Sequence, residues 1–294
     1  MRKSVRVKGI AILVLLTLTL CIWYAAIRED ARGLLTVSFL NVGQGDSIFI
    51  QAPSGRQVLI DGGANTGVLR ELAGVMPWYD RSIDVVIPTH PDADHIGGLI
   101  DVLARYRIET IIHSSVEGDT KTFAAFNRAM AEQVHPVRGP ASNGAREIVA
   151  MRGQIVDLGG GAYLQILSPD RLVPDVDTND GCVVARLVYG ATAFMLPCDA
   201  PQSVENYLVA LGTSSLKANV LKAGHHGSKT SSSALFLGYV APEYGVFSRG
   251  CDNKYGHPAP ETTARFAQFE IPTLDTCKDG TISFVSDGQT VVKK

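Results

Sequence analysis

The sequence predicts an α/β (α+β) fold: a four-layer αβ/βα sandwich preceded by one N-terminal transmembrane helix. Three observations lead there. A nearly unbroken apolar run covers Gly9 to Ile27; a β-meander from residue 35 passes into a βαβα rhythm before a second strand-rich half; and His- and Asp-rich loops stand directly behind apolar strands. Two such halves bury one sheet face against the other and cover the outer faces with helices, which leaves the polar loops at the edge where the sheets meet. With 294 residues, 46% of them hydrophobic, the chain has ample material for a core. The expected division is residues 1–33, an N-terminal membrane anchor or signal segment, and residues 34–294, a single domain.

The apolar run has the length of a membrane span, with Trp23 and Tyr24 at its far edge. Arg2, Lys3, Arg6 and Lys8 precede it, whereas Arg28, Glu29, Asp30 and Arg32 cancel behind it. The positive-inside rule therefore directs the N-terminus to the cytoplasm and the remainder outside. Cleavage after Ala26 would need Tyr24 at the −3 position, a poor small-x-small site, which favours an uncleaved anchor over a signal peptide. Of 27 basic and 29 acidic residues, six and two lie in residues 1–33; the remaining 21 and 27 leave residues 34–294 with a net charge of −6. That balance excludes a broadly basic nucleic-acid-binding surface, so any phosphate-binding patch is local.

Leu35 to Val42 alternates as a strand, Gly43-Gln44-Gly45-Asp46 turns, and Ser47 to Gln51 returns. Pro53-Ser54-Gly55 turns again, and Val58 to Ile60 runs into Asp61-Gly62-Gly63. Gly67 to Met76 reads as a helix and Ile83 to Ile87 as a strand. Next comes Thr89-His90-Pro91-Asp92-Ala93-Asp94-His95-Ile96-Gly97-Gly98, with two His and two Asp in six positions. Ile96, Leu99, Ile100 and Leu103 then recur at i, i+3, i+4 and i+7, which predicts an amphipathic helix over Ile96 to Tyr106. Positions 90, 92 and 94 alternate to one side of an extended loop, and His95 at the helix start adds a donor from another direction. A helix cap needs one Asp; four such side chains at this density suit a divalent ion such as zinc or manganese.

At this stretch the chain resembles the metallo-β-lactamase superfamily, whose signature is His-x-His-x-Asp-His; here Asp92 replaces the second His. That departure, Pro91 and the following Ile-Gly-Gly, with Asn41-Val42-Gly43-Gln44-Gly45-Asp46-Ser47, resemble the soluble C-terminal hydrolase-like domain of ComEC DNA-internalisation proteins. The resemblance runs from residue 35 to 294. It implies a metallo-β-lactamase-like sandwich, one or two divalent metal ions, Zn or Mn, and an Asp61 that supports the metal ligands by hydrogen bonds.

Ile108 to Ile112 reads as the next strand, Thr122 to Gln133 as a helix and Pro136 to Arg146 as a loop. Ile148 to Leu158 and Ala162 to Leu167 read as strands of the second sheet, before an Asp- and Pro-rich loop from Ser168 to Gly181. Val183 to Val188 and Thr192 to Leu196 form a hairpin turning at Tyr189-Gly190-Ala191; with Gly190 at its centre, Cys182 and Cys198 stand opposite each other. Outside the cytoplasm these two can bond, and so can Cys251 and Cys277, which each follow an apolar strand; buried free thiols are the alternative. Asp199, behind the hairpin, reads from the residues alone equally as the cap of a helix starting near Pro201. By the resemblance it bridges two metals, with Cys198 where the family usually has Gly.

Asn219 to Ala223 is another apolar strand, feeding Gly224-His225-His226-Gly227-Ser228. The His-His-Gly-Ser run is characteristic of the ComEC-like branch. His225 is expected as a metal ligand, and His226, pointing the other way, as a ligand, a supporting group or a proton donor. Ser228, Lys229, Thr230 and Ser231 to Ser233 form either a phosphate cradle or a Ser-rich helix cap. Tyr244 to Ser248 is the next strand. Asn253-Lys254-Tyr255-Gly256-His257-Pro258 follows, and the resemblance puts His257 in the place of the last metal His, with Ser228, Lys229 and Lys254 toward the substrate. Many superfamily hydrolases add a His before the bridging Asp. None of the seven His lies between His135 and His225, which leaves Asn179, Asp180 or no residue in that role, with Asn179 expected beside the ligands.

The resulting expectation is a membrane-anchored, extracytoplasmic, metal-dependent hydrolase, a stand-alone relative of the ComEC domain. The resemblance implies that Asp94, His95 and His257 hold one ion, that His90, Asp92 and His225 hold the other, and that Asp199 bridges them. Asp94 and His226 would serve the chemistry, and the bond cut would be a phosphodiester, with DNA or another phosphodiester as substrate. Two alternatives stand beside this: a hydrolase of a small-molecule ester, thioester, lactone or β-lactam, and a non-catalytic binding module that keeps the fold.

Overall fold

The computed structural model describes residues 2–29, 33–135, 144–212 and 216–294. Helix α1 (Arg2–Glu29) contains Val7–Tyr24, a stretch long and apolar enough to cross a membrane, with mean hydropathy 2.1 and none of it buried against the protein. Of the charges expected to orient it, the side chains of Arg2, Lys3, Arg6, Arg28 and Glu29 lie outside the described set, as do Asp30 and Arg32.

The meander is β1 (Leu35–Phe39), β2 (Ile48–Gln51) and β3 (Gln57–Ile60), antiparallel throughout. It continues through α2 (Gly67–Val75), β4 (Ser82–Ile87), α3 (Ala93–Ile96), α4 (Leu99–Arg105), β5 (Arg107–His113), α5 (Lys121–Val134) and β6 (Arg146–Val149), with β3 to β6 parallel. The second half opens with β7 (Ile155–Gly159), β8 (Ala162–Ser168), β9 (Val184–Tyr189) and β10 (Thr192–Leu196). Then follow α6 (Gln202–Leu211), β11 (Val220–Lys222), α7 (Ala234–Val240), β12 (Tyr244–Phe247), α8 (Pro260–Gln268) and β13 (Thr273–Asp275), with β10 to β13 parallel. Finally α9 (Thr276–Asp279) leads to β14 (Ile282–Ser286) and β15 (Val291–Lys293), which return to the first sheet.

Among the described residues one sheet runs β15-β14-β1-β2-β3-β4-β5-β6 and the other β13-β12-β11-β10-β9-β8-β7. Val37, Phe39, Val58, Val85, Leu187, Phe194, Val220 and Phe284 fill the space between them, with Phe284 edge-on to Phe39 and Phe194. Leu72, Val102, Leu103 and Phe126 cover the outer face of the first sheet, and Leu208, Phe236, Leu237 and Phe266 that of the second. These are the four expected layers. Strands covered on both faces read as continuous apolar runs, such as Val85-Val86-Ile87, all buried. The loops behind β3, β4, β10, β11 and β12 all leave the carboxyl ends of parallel strands, where open α/β sheets gather their sites.

Four sequence expectations change. The run from Ile148 to Leu158 is two strands in different sheets: β6 closes the first beside β5 and β7 opens the second beside β8, and the chain crosses between them at the polar Arg152-Gly153-Gln154. Of the loop expected over 136–146, residues 136–143 lie outside the described set and Arg146 already belongs to β6. The helix expected over 96–106 starts earlier, at Ala93, and breaks at Gly97-Gly98. A Cβ at Gly98 would lie 2.0 Å from the Gly62 carbonyl oxygen, and one at Gly97 2.3 Å from that of Ala64, so the chain passes there only without side chains. Asp94 and His95 consequently sit on a helical turn and not in an extended loop. The hairpin pairs one residue off the expected register, Tyr189 facing Thr192, so Cys182 and Cys198 are not directly opposed; they are nonetheless joined, with Cα atoms 6.6 Å apart, and Cys251 is joined to Cys277.

Candidate metal centre

β3 ends on Asp61, whose buried carboxylate accepts three hydrogen bonds. Thr89 N–H donates to one oxygen at 2.8 Å; the Thr89 hydroxyl and His95 Nδ1–H both donate to the other, also at 2.8 Å. With Nδ1 so engaged, His95 turns Nε2 toward Asp199 Oδ2, 3.3 Å away. His90 Nδ1 lies 3.0 Å from the same Thr89 hydroxyl, which accepts from it while donating to Asp61. His90 and His95 thus stand side by side, ring centres 4.1 Å apart.

The second sheet supplies the opposite wall. Asp199 follows Cys198, which has φ 46°, in the left-handed region where the family's Gly would sit without strain. In the tight turn Gly224–Gly227, both His225 (φ 49°) and His226 (φ 54°) are left-handed. Non-Gly residues held there cost on the order of 1–3 kcal/mol each. The two successive left-handed residues cancel the alternation on which side-chain direction was inferred. His226 is buried, donates from Nδ1 to the Ser248 carbonyl at 2.9 Å, and sets Nε2 3.2 Å from Asp199 Oδ2 and 3.4 Å from Asp94 Oδ2. His225 stays at the open side, its side chain 29% exposed and Nε2 3.6 Å from Asp199 Oδ2.

Two further charged residues, Lys222 and Asp46, complete the cluster. Lys222, fully buried, places Nζ 2.5 Å from Asp46 Oδ2 and 3.2 Å from Asp199 Oδ1, and donates to the Cys198 carbonyl at 2.9 Å. A lysine inside the apolar strand that feeds the His pair was the available signal. Asp46 had none beyond its place in a Gly-rich turn, where a Cβ on Gly45 would fall 1.9 Å from the Asp94 carbonyl oxygen. Asn253 is a further case: its side chain brackets His257 at 2.8 Å on both the N–H and the carbonyl.

These donors fit a divalent ion. His90, His95 and Asp199 offer ligand atoms all within 4.8 Å of one another, as do Asp94, His95 and His226, and Asp46, Asp199 and His226. Nε2 of His90, His95 and His226 and Oδ1 of Asp46 are buried without a hydrogen-bond partner. Each such orphan costs about 1–3 kcal/mol unless something binds it. The charges agree: Asp46, Asp61, Asp92, Asp94 and Asp199 face one ammonium, Lys222. Burial disfavours protonated imidazole, yet Asp199 and Asp61 hold His95, and Asp199 and Asp46 hold His226, well above the ordinary value. Burial likewise disfavours ionised carboxylates, but Lys222 and His226 keep Asp46 and Asp199, and His226 keeps Asp94, below the usual range. Burial, and the neighbouring His225 and His226, bring His257 down to about 4.

The remaining expected residues lie around this cluster. Asp92 is partly exposed, 3.7 Å from His90 Nε2, and hydrogen-bonded by Thr178; it stands at the start of α3 without capping it. Asn179, next to Thr178, has a buried Oδ1 without a partner, while Asp180 turns to Ser203. The ring of His257 is 5.6 Å from that of His225 and 6.4 Å from that of His226. Ser228 bonds Thr230, and Lys229 and Lys254 are exposed. The amides of Ser232 and Ser233 are already taken by the buried Glu205 carboxylate, and Ser233 caps α7. A cavity of about 340 Å³ opens beside His90, lined by Pro91, Ile96, Phe123, Phe126 and Met130 among others.

Residues 40–250 match the model of the metallo-beta-lactamase superfamily. The chain is 27% identical over 271 residues to ComE operon protein 3 of Bacillus subtilis (strain 168), and 30% identical over 254 residues to competence protein ComA of Neisseria gonorrhoeae. Each match takes in 84% of this chain and 32% of the relative, so the chain spans about a third of the length of these proteins. Among solved structures, Igni18, a metallo hydrolase of Ignicoccus hospitalis KIN4/I, superposes with a TM-score of 0.52 over 85% of this chain and 98% of its own, at 14% identity. The chain belongs to the metallo-β-lactamase superfamily.

Proposed function

We propose that this protein is a metal-dependent phosphodiesterase acting on DNA, held at a membrane by α1 with residues 34–294 outside the cytoplasm. One observation carries the metal-dependent part: three buried imidazoles whose free Nε2 atoms converge with Asp94 and Asp199, the rings of His95 and His226 being fixed through Nδ1 by Asp61 and the Ser248 carbonyl. His90, His95, Asp94, Asp199 and His226 would hold the ion or ions, with Asp92, His225 and His257 on the open side. Zinc or manganese bound there would supply a water acidic enough to attack at neutral pH.

The residues around it have separate tasks. Asp94, partly open to solvent and 3.4 Å from His226 Nε2, would take the proton of that water. His226 is a ligand in this reading and not a proton donor, because Nδ1–H is committed to Ser248 and the ring is closed to solvent. Lys222 holds Asp199 Oδ1, which leaves Oδ2 to the centre. The choice of DNA is supported by the likeness to proteins named for competence, and by Lys229, Lys254 and Arg265 on the second-sheet side of an otherwise acidic domain.

The test is cleavage of linear and plasmid DNA by the full chain in detergent, loaded with Mn²⁺ or Zn²⁺, beside Asp94→Ala. The parent is expected to cut and the variant to be about 10²-fold slower or worse. Metal-loaded parent that cuts neither DNA would sink the proposal in favour of a small-molecule hydrolase.

A further inference from the structure

The loop that carries His257 also carries an aromatic ring with no place in the core. Tyr255 is 58% exposed, yet it does not lie loose: its ring stacks on the imidazole of His257, centres 5.6 Å apart and planes 23° apart. His257 in turn lies 5.6 Å from His225 and 6.4 Å from His226. A series of rings thus leads from the buried cluster to the surface and ends in a phenol open to solvent. Lys254 extends its ammonium over the same ring, 5.4 Å from the centre. The loop is held on both sides, by Asn253 clamping His257 and by the Cys251–Cys277 disulfide. Asp252 stands two residues before Lys254, and Glu261 accepts through its carbonyl from Arg265, whose guanidinium also reaches the Lys229 carbonyl, so net charge alone would not hold a polyanion here.

From this arrangement we infer that Tyr255 is a stacking platform for a nucleobase next to the bond cut, and that the substrate is a nucleic-acid strand with unpaired bases. The inference rests on the phosphodiesterase reading and narrows it. An exposed aromatic face beside cations is how proteins hold single strands without reading sequence, because every base offers a π-face. Bases within a duplex are already stacked on both sides and cannot reach a ring fixed to the protein. Stacking of a base on the phenol displaces the Lys254 ammonium from the ring, and the freed cation then faces the neighbouring phosphate. Tyr255 touches the substrate but not the reacting atoms, so its contribution appears in binding.

The experiment compares the parent, Tyr255→Ala and Tyr255→Phe as full chains in detergent with Mn²⁺. The substrates are single-stranded DNA, a blunt duplex of the same sequence, and single strands with one abasic position moved along the chain. Melting temperature and metal content confirm that the variants fold. Tyr255→Ala is expected to raise KM on the single strand about 5- to 150-fold with little change in kcat, and Tyr255→Phe to retain parental KM. For the parent, one abasic position should cost a similar factor; for Tyr255→Ala, that position should cost nothing further. Parental KM in Tyr255→Ala, or a blunt duplex cut as efficiently as the single strand, would overturn the inference and leave the phosphodiesterase reading standing. If the metal-loaded parent cuts no DNA at all, that reading fails, and the platform is judged by fluorescence anisotropy of the labelled single strand. Binding weakened by the same factor in Tyr255→Ala upholds it, and unchanged binding overturns it.

Discussion

In the first-sheet half of the centre, His90 and His95 leave β4 on ordinary backbone, both rings are oriented through one side-chain network, Thr89 with Asp61, and the left-handed backbone falls on the orienting Asp61 (φ 58°) and not on the two His. In the second-sheet half, Cys198, His225 and His226 all have left-handed backbone, and a disulfide and the buried Lys222 tie the strands that carry them. In the first half one strained residue aims two rings through hydrogen bonds. A ligand that must turn back into the core from a strand end requires strained dihedrals, and strain persists only where the surroundings over-determine it. The second half should therefore fail when its ties are cut, whereas the first should fail only when its orienting carboxylate is changed.

The largest effect is expected from Lys222→Met. Removing the ammonium leaves Asp46 and Asp199 buried and mutually repelling, so the metal-free protein should lose about 3–5 kcal/mol in a denaturant titration with chelator. Added metal should recover part of that loss; a variant as stable as the parent without metal would break the comparison. Next, Cys182→Ser with Cys198→Ser should cost about 2–4 kcal/mol of stability and weaken metal binding, because Asp199 follows directly on the strained Cys198. Unchanged metal affinity by calorimetry would show that the backbone of the second half needs no cross-link. In the first half, Asp61→Asn keeps an acceptor for Thr89 and a residue that tolerates positive φ, but withdraws the charge behind His95. Metal affinity should fall about 10- to 100-fold, and the metal-free protein should lose about 1–3 kcal/mol, because the buried His95 and Thr89 donors lose the carboxylate that accepts from them.

The smallest effect concerns pH. His95 and His226 have folded-state pKa values above the unfolded value of 6.5, so their contribution to the metal-free protein is fully present below that pH and is lost as pH rises through the folded values. Metal binding must displace those protons, so it strengthens with pH. The increase in melting temperature on adding Mn²⁺ should therefore widen from pH 6 to pH 8, the chelated protein falling while the loaded one holds. A constant difference across that range would mean that the two imidazoles do not carry protons when metal is absent.

Much of the fold was legible because it is written locally. The strands of the meander, the βαβα rhythm and the His-bearing loops behind β4, β11 and β12 follow from short periodicities and from polar residues packed behind apolar ones. The misreadings arose where distant contacts decide. Gly97 and Gly98 break a helix because the backbone of residues 62 to 65 presses on them, and Ile148 and Leu158 part company because their pairing partners lie in different sheets. In the site, Asp46 and Lys222 could not be recognised as neighbours from positions 176 residues apart.

The sequence by itself determined the superfamily, the two-sheet sandwich, the apolar N-terminal helix and the set of strand-end loops that carry the His and Asp residues, since each depends on residue type and spacing over a few turns of chain. Only the tertiary structure decided that His226 enters the cluster while His225 stays outside, that Lys222 neutralises Asp46 and Asp199, and that Tyr255 extends the row of rings to the surface. The physical reason is that side-chain direction at a strand end depends on dihedral angles that long-range contacts impose, and that a buried charge is tolerated only beside a partner brought to it by the fold.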